Sequence, residues 1–231
     1  MDPLVVDLRQ RRAQGYESAR PDVQALVPTN AKRILEFGCS TGALGSALKS
    51  RQASRVTGIE IDPVLAVEAR KRLDEVIVDD LDAVVAGNSL TGRDFDCLIA
   101  ADVLEHLVDP WTVLRAARRL LAPQARVIVS VPNILYYKAL RRVVVDATWP
   151  LDDQGVFDRT HLRWFTVQDA AKMVEDAGFV DVSIHPQIWE ESGYRGIRKG
   201  LLAVAKRSAA RDFLPAQTII TAVNPAGGTF K

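Results

Sequence analysis

The stretch Arg33-Ile34-Leu35-Glu36-Phe37-Gly38-Cys39-Ser40-Thr41-Gly42-Ala43-Leu44-Gly45 is an apolar strand that ends on an acid and runs into a glycine-bearing turn. Glycines at a strand end let a ligand approach the backbone closely, and the helix that follows supplies N–H groups with no intrahelical partner. Dinucleotide and P-loop sites use the same device to hold phosphate. Here Glu36 stands just before the turn, where it repels a phosphate and attracts a cation. Ser40 also departs from the Gly-x-Gly-x-x-Gly spacing of dinucleotide sites. The acid directs the reading toward a positively charged ligand.

Outward from this turn, strand and helix patterns alternate. Ile34–Gly38 reads as a strand and Thr41–Arg51 as its helix, followed by a strand at Val56–Ile61. Asp62-Pro63 supplies an N-cap and a first-turn proline for a helix running to about Leu73. Val76–Val78 and Phe95–Ala101 read as the third and fourth strands, and Val127–Val131, closed by Pro132, as the fifth. Between them Asp109-Pro110 starts a helix with Val113, Leu114, Ala117, Leu120 and Leu121 on one apolar stripe. Thr166-Val167-Gln168-Asp169 is a capping box whose helix ends at Gly178, and two strands follow near Val180–His185 and Thr218–Val223. Short apolar strands separated by helices imply βαβ units in a mostly parallel sheet with helices on both faces.

Composition bounds the answer further. The 231 residues, 48% of them hydrophobic, suit one domain over residues 1–231 with a full core. No apolar run approaches the ~20 residues of a membrane helix. Met1-Asp2-Pro3-Leu4 lacks the basic start and apolar core of a signal peptide, and Cys39 and Cys97 stand alone, so a cytoplasmic setting is expected. A net charge of +1 argues against a dedicated nucleic-acid binder. Residues 1–30, with a helix near Ser18–Val27, read as an N-terminal cap. Residues 133–165 break the strand–helix rhythm and hold Tyr136, Tyr137, Trp149, Phe157, His161, Trp164 and Phe165. Such an insertion past a strand end reads as a substrate-binding lid, with a homodimer contact as the other reading.

Four acids fall at or just past strand ends: Glu36, Glu60, Asp80 and Asp102. Like charges gathered without a partner cost stability, so a cationic partner is implied. The intervals between them are long and no histidine joins them in a metal-type spacing, so no metal is expected. An organic cation that also carries hydroxyls and an adenine fits better. Glu60 is then placed for ribose hydroxyls, Asp80 for an adenine amino group, and Glu36 for an ammonium.

Glu36-Phe37-Gly38-Cys39-Ser40-Thr41-Gly42, Val56-Thr57-Gly58-Ile59-Glu60-Ile61-Asp62, Asp80-Leu81-Asp82 and Ala101-Asp102-Val103-Leu104-Glu105-His106-Leu107 together resemble the class I S-adenosylmethionine (SAM) dependent methyltransferases. The resemblance implies a Rossmann-like, seven-stranded α/β sheet with an antiparallel last strand. It also implies that Gly38, Ser40 and Gly42 lie near the methionine part of SAM, Glu60 and Ile61 at the ribose, Asp80 and Leu81 at adenine, and Ala101 and Asp102 beside the amino acid. Tyr16 and Arg20 resemble an N-terminal element that closes over the cofactor, Arg20 near its carboxylate. Ser40 departs from the glycine many members carry. The segment from Gly155 to Thr166 resembles a bacterial subgroup met in glycan settings, with ubiquinone-pathway O-methyltransferases and MetW-like proteins as nearby relatives.

Methyl transfer needs a nucleophile aligned about 3–3.5 Å from the sulfonium methyl in a dry pocket, and a hydroxyl nucleophile gains from a base. His161, with Asp158 nearby in sequence, is one candidate; pinning its own loop is the structural reading of both. His106, just past the fourth strand, is the other, against a capping role; His185 reads as core or edge. Tyr136, Tyr137, Trp149 and Trp164 read as stacking surfaces for an acceptor or as packing. Lys138, Arg141 and Arg142, then Arg195, Arg198, Lys199, Lys206, Arg207 and Arg211, read as solvated faces or as forks for an anionic acceptor. Ile134–Val145 is apolar and basic enough for peripheral membrane contact. The expectation is methyl transfer to a small molecule, at oxygen and on a saccharide or nucleotide-linked sugar. The competing readings are transfer to nitrogen and a SAM-binding regulator or scaffold without catalysis.

Overall fold

The computed structural model describes residues 17–188 and 209–226. In chain order the elements are α1 (Pro21–Gln24), β1 (Arg33–Phe37), α2 (Ala43–Arg51), β2 (Arg55–Glu60), α3 (Pro63–Ala69), β3 (Glu75–Val78), α4 (Leu81–Ala86), β4 (Phe95–Ala101), α5 (Pro110–Ala117), β5 (Leu121–Pro132), α6 (Tyr137–Val144), α7 (Val167–Asp176), β6 (Val180–Gln187) and β7 (Gln217–Val223). Short 3₁₀ turns at Leu104–His106, Arg118–Leu120 and Ala209–Phe213 complete them. The strands form one seven-stranded sheet in the order β3-β2-β1-β4-β5-β7-β6. Only β7 runs antiparallel to its neighbours, as expected.

Strand residues alternate between two cores, which is why these runs are apolar on both faces. Leu35, Phe37, Leu98, Val127 and Ile220 face the layer built by α4, α5 and α7. Ile34, Cys97, Ile99, Ile128 and Ile219 face the layer of α1, α2 and α3. Glu36 shares the face of Ile34 and so points beneath α2. The strand order reverses between β1 and β4, and the crevice outside their carboxyl ends is where an open α/β sheet binds its ligand.

The helix starts follow their caps. Asp62 accepts from Val64 and Leu65 N–H, and Asp109 from Thr112 N–H, each cap contributing about 1 kcal/mol. Thr166 accepts from Asp169 N–H, and α7 stops before Gly178 at φ 91°. Several expected extents are corrected. The Ser18–Val27 helix is only α1, because Arg20 at φ 46° delays its start and the chain turns before Pro28. The second expected helix begins at Ala43 rather than Thr41, since Gly42 at φ 77° is its cap. Leu120 and Leu121 leave the α5 stripe: a 3₁₀ turn intervenes, and Leu121 already pairs with β4. α4 went unread because its six residues carry too little periodicity.

Candidate active site

A cavity of about 940 Å³ opens at the carboxyl ends of β1, β2, β4 and β5. Its floor is the opening turn. Gly38, Ser40 and Gly42 all have left-handed backbone (φ 62°, 52° and 77°), which folds the turn back over the strand ends. A side chain at Gly38 would bring its Cβ to 2.9 Å from Val103 Cγ2, so only glycine fits there. Gly38 and Ser40 line the cavity. Gly42 caps α2 and faces α3, with Leu73 and Ala69 against it.

Glu60 closes the turn from β2. Its Oε2 accepts the N–H of Ser40 and its Oε1 that of Asp62, each at 2.8 Å. Carboxylate oxygens keep further acceptor capacity, so a ribose diol can donate to the same group. Ile61 stands exposed at the cavity rim, while Asp80 and Leu81 line it at the start of α4. The Asp80 side chain also accepts the Asp82 N–H as the cap of α4.

Glu36 is buried, and the N–H of Gly45 in the first turn of α2 faces it. A Cβ on Gly45 would sit 2.8 Å from Glu36 Oε2, so the glycine makes room for the carboxyl. Burial chiefly, and the charge of Glu60 secondarily, push Glu36 up to about 8. The expected carboxylate thus holds its proton around neutral pH. Burial likewise raises Glu60, against the N–H groups it accepts.

On the other side of the reversal, Asp102 has φ 57° and gives its N–H to Ser130 O. Its side chain accepts from Arg20 and from Gln217, and more weakly from Ser130 Oγ at 3.4 Å. Arg20 also forks onto Asp22 at 3.0 and 2.9 Å. Arg20, expected near the cofactor's carboxylate, and Asp102, expected beside its amino acid part, are therefore paired with each other. Ala101 and Asp102 line the cavity, and Tyr16 lies outside the described residues. Ser130 and Gln217 were missed, since one polar side chain within an apolar strand carries no signal in sequence.

The far end of the cavity belongs to the 3₁₀ turn Leu104–His106 and to the 133–165 insertion. Leu162 and Arg163 give their N–H groups to Glu105 O at 2.8 and 3.0 Å, stapling the insertion to that turn. His161 is buried, with Nδ1 3.1 Å from Val156 O. A carbonyl only accepts, so Nδ1 carries the proton and Nε2 is the basic nitrogen. His106 follows the same pattern, its Nδ1 lying 3.2 Å from Thr160 O and 3.1 Å from Thr160 Oγ1. Asp158 bonds Thr160 N–H and Oγ1–H at 2.8 and 2.7 Å. These bonds connect Asp158 to His106 through Thr160, and Asp158 O also accepts the His161 N–H at 2.9 Å. Glu105, almost fully buried at 1% exposure, has no hydrogen-bond partner at either carboxyl oxygen. Polar tips of Glu105, His106 and His161 lie within 4.8 Å of one another. The sequence showed no such trio because His161 is remote from the other two along the chain.

Of the insertion's rings, Tyr136 lines the cavity. Trp149, Phe157 and Trp164 instead pack edge to face at 5.1–5.2 Å, and Trp164 Nε1 donates to Val156 O at 3.1 Å. They pack the loop against itself. His185 sits in β6 against Thr221 Oγ1 at 2.9 Å, an edge residue.

A seven-stranded sheet with this crossover order, a glycine turn beneath an acid and a ribose-type glutamate define a class I SAM-dependent methyltransferase. The chain belongs to the methyltransferase-domain family, whose profile matches residues 9–184. It is 35% identical over 106 residues to a ubiquinone biosynthesis O-methyltransferase of Pseudomonas aeruginosa, covering 44% of this chain and 45% of that protein. A namesake from Cereibacter sphaeroides is 28% identical over 183 residues, 77% of this chain and 71% of the relative. The chain thus spans about half the length of the first of these relatives. A SAM-dependent methyltransferase from Archaeoglobus fulgidus has the same fold at a TM-score of 0.61 and 16% identity, covering 96% of this chain and 94% of that one. SAM is the cofactor of this class, and Arg20, Glu36, Gly38, Ser40, Glu60, Ile61, Asp80, Leu81, Ala101 and Asp102 all line the cavity. No helix among the described residues is long and apolar enough to cross a membrane.

Proposed function

We propose that the chain transfers the SAM methyl group to a hydroxyl oxygen of a small organic acceptor, with His161 as the base. One observation carries the reading: a buried imidazole whose tautomer is fixed by Val156 O lines the same cavity as the residues expected at SAM. The acceptor oxygen bonds to the methyl carbon as the carbon–sulfur bond breaks and its electron pair returns to sulfur. The acceptor's proton passes to His161 Nε2. Arg20, Glu60 and the turn position the donor, and the insertion excludes water.

Oxygen rather than nitrogen as the target is supported by the names of the relatives. A saccharide or nucleotide-linked sugar has no such support. Arg20 is the one arginine or lysine among the described lining residues, and it is paired with Asp22 and Asp102. On α6, Arg141 and Arg142 pair with Asp146 and Asp152, while Arg195, Arg198, Lys199, Lys206 and Arg207 lie outside the described residues. The reading thus takes an uncharged acceptor, handled as a single-domain cytoplasmic enzyme.

The test is a screen of hydroxyl-bearing metabolites with methyl-labelled SAM. His161→Ala should lose turnover about a hundredfold, the contribution of a positioned base, and retain SAM affinity. Unchanged turnover would assign His161 to structure; SAM binding with no acceptor found for the native chain would favour the regulator reading.

A further inference from the structure

Glu105 is a buried acid at the acceptor end that the reaction above does not use. An ionisable side chain shut away from water without a hydrogen bond costs several kcal/mol as an ion, so native folds rarely keep one idle. Its neighbours along the chain are apolar: Leu104 is fully buried, and Val103 and Leu107 pack against the main core. His161 Nε2 lies 3.9 Å from its Oε1. Ring centroids of His106 and His161 lie 4.8 Å apart, edge to face, which closes the other side of the pair.

The geometry points to Glu105 as a positioning residue that shares one proton with His161, so that the pair rather than the imidazole alone is the base. The inference rests on the proposed role of His161 in oxygen methylation. Its proton balance is direct. With the pair in its carboxylate–imidazole form, Nε2 takes the acceptor proton as oxygen bonds to the methyl carbon. The positive charge lost by sulfur then appears on an imidazolium beside a carboxylate, and the pair returns to one shared proton. That proton leaves to water after the products depart. The 3.9 Å separation is longer than a hydrogen bond, as is common for catalytic contacts before substrate is bound.

Other groups around the pair set its poise. Burial first, then the charges of Asp102 and Asp158, raise Glu105 well above the ordinary carboxylate range, while Arg20 opposes them. His106 faces the pair from the same 3₁₀ turn. The competent form is the one that has lost the shared proton. Activity should therefore rise with pH along a limb set by the pair, above the range of a free carboxylate.

Two measurements test this. The first is the titration of His161 followed by its ring ¹⁵N signals in histidine-labelled protein, comparing the native chain with Glu105→Gln. Loss of a carboxylate at this distance should move the His161 midpoint about one pH unit lower. The second is the pH profile of kcat/KM with the acceptor found in the screen. Glu105→Gln should move the acid limb to lower pH and drop the plateau about tenfold, the equivalent of one pKa unit. Glu105→Asp should recover part of that loss. Superimposable His161 titrations in the two proteins would overturn the pairing whatever His161→Ala does to turnover. A shifted titration with full turnover in His161→Ala would keep the pair and remove the catalytic reading beneath it. Activity that depends on an added divalent cation and is abolished by a chelator would also overturn the proposal, since the carboxylate would then be held by the ion.

Discussion

Glu60 accepts the backbone N–H of Ser40 at 2.8 Å, so the acid expected on the cofactor's ribose also holds the turn beneath the cofactor. One side chain thereby couples the shape of the site to its affinity. Glu60→Ala should weaken SAM binding about a hundredfold, because hydrogen bonds to a charged group contribute about 1.5–3 kcal/mol and the turn loosens as well. Glu60→Gln keeps one acceptor oxygen and should fall between. Calorimetry with SAM and its demethylated product measures both, and native affinity in Glu60→Ala would remove Glu60 from the site.

Glu36 gives a pH dependence with a definite sign. Its folded value of about 8 stands above its ordinary 4.5, so between these pH values the folded chain holds more protons than the unfolded one. Stability conferred by the neutral acid is complete below about pH 4.5 and is lost as pH rises toward 8. The slope is at most about 1.4 kcal/mol per pH unit, and Glu105 acts in the same direction. Urea unfolding of the SAM-free protein should show a lower midpoint at pH 8 than at pH 6, and Glu36→Gln should flatten the difference. A sulfonium cation nearby favours the carboxylate, so SAM binding near pH 7 should release protons, read as a buffer-dependent binding enthalpy.

What could be read from sequence follows the range of each signal. Cap-plus-proline pairs and apolar runs are local, so β4 matched at both ends and the Asp62 and Asp109 starts held. The acids at strand ends were legible because topology sends every parallel strand end to one edge. Orientation was not legible: that Glu36 turns beneath Gly45, or that the Asp158 carboxyl reaches Thr160, depends on how loops cross. Gln217 reaches Asp102 only because β7 returns antiparallel beside β5, and Glu105 meets His161 only because the insertion folds back on its turn. Aromatic content marked the insertion as special without saying that Trp149, Phe157 and Trp164 pack on one another.

Gly38 tests the floor of the site. Its φ of 62° and the 2.9 Å approach of Val103 Cγ2 make two separate demands on an added methyl group. Gly38→Ala should lose about 2 kcal/mol, from left-handed strain of about 1–2 kcal/mol together with overpacking. Val103→Ala in the same chain removes the steric part and leaves the backbone part, so rescue should be partial. Thermal unfolding of the single and double variants checks this, and full rescue would show that the strain contributes nothing.

Trp164 separates the mechanical role of the insertion from the chemical one. Its indole N–H and His161 Nδ1 both reach the carbonyl of Val156 at 3.1 Å, and its ring meets Trp149 at 5.1 Å. Trp164→Phe keeps a ring and removes the N–H, which should lower stability by about 1 kcal/mol, the net worth of one neutral hydrogen bond. With that anchor gone, Val156 and the imidazole bound to it gain freedom at the acceptor end, while Glu60 and the turn are untouched. Turnover should fall several-fold, as expected when a reacting group is held less closely, and SAM affinity should stay at the native value. Steady-state kinetics beside SAM calorimetry resolve the two. A parallel loss of SAM affinity would show that the insertion also holds the donor.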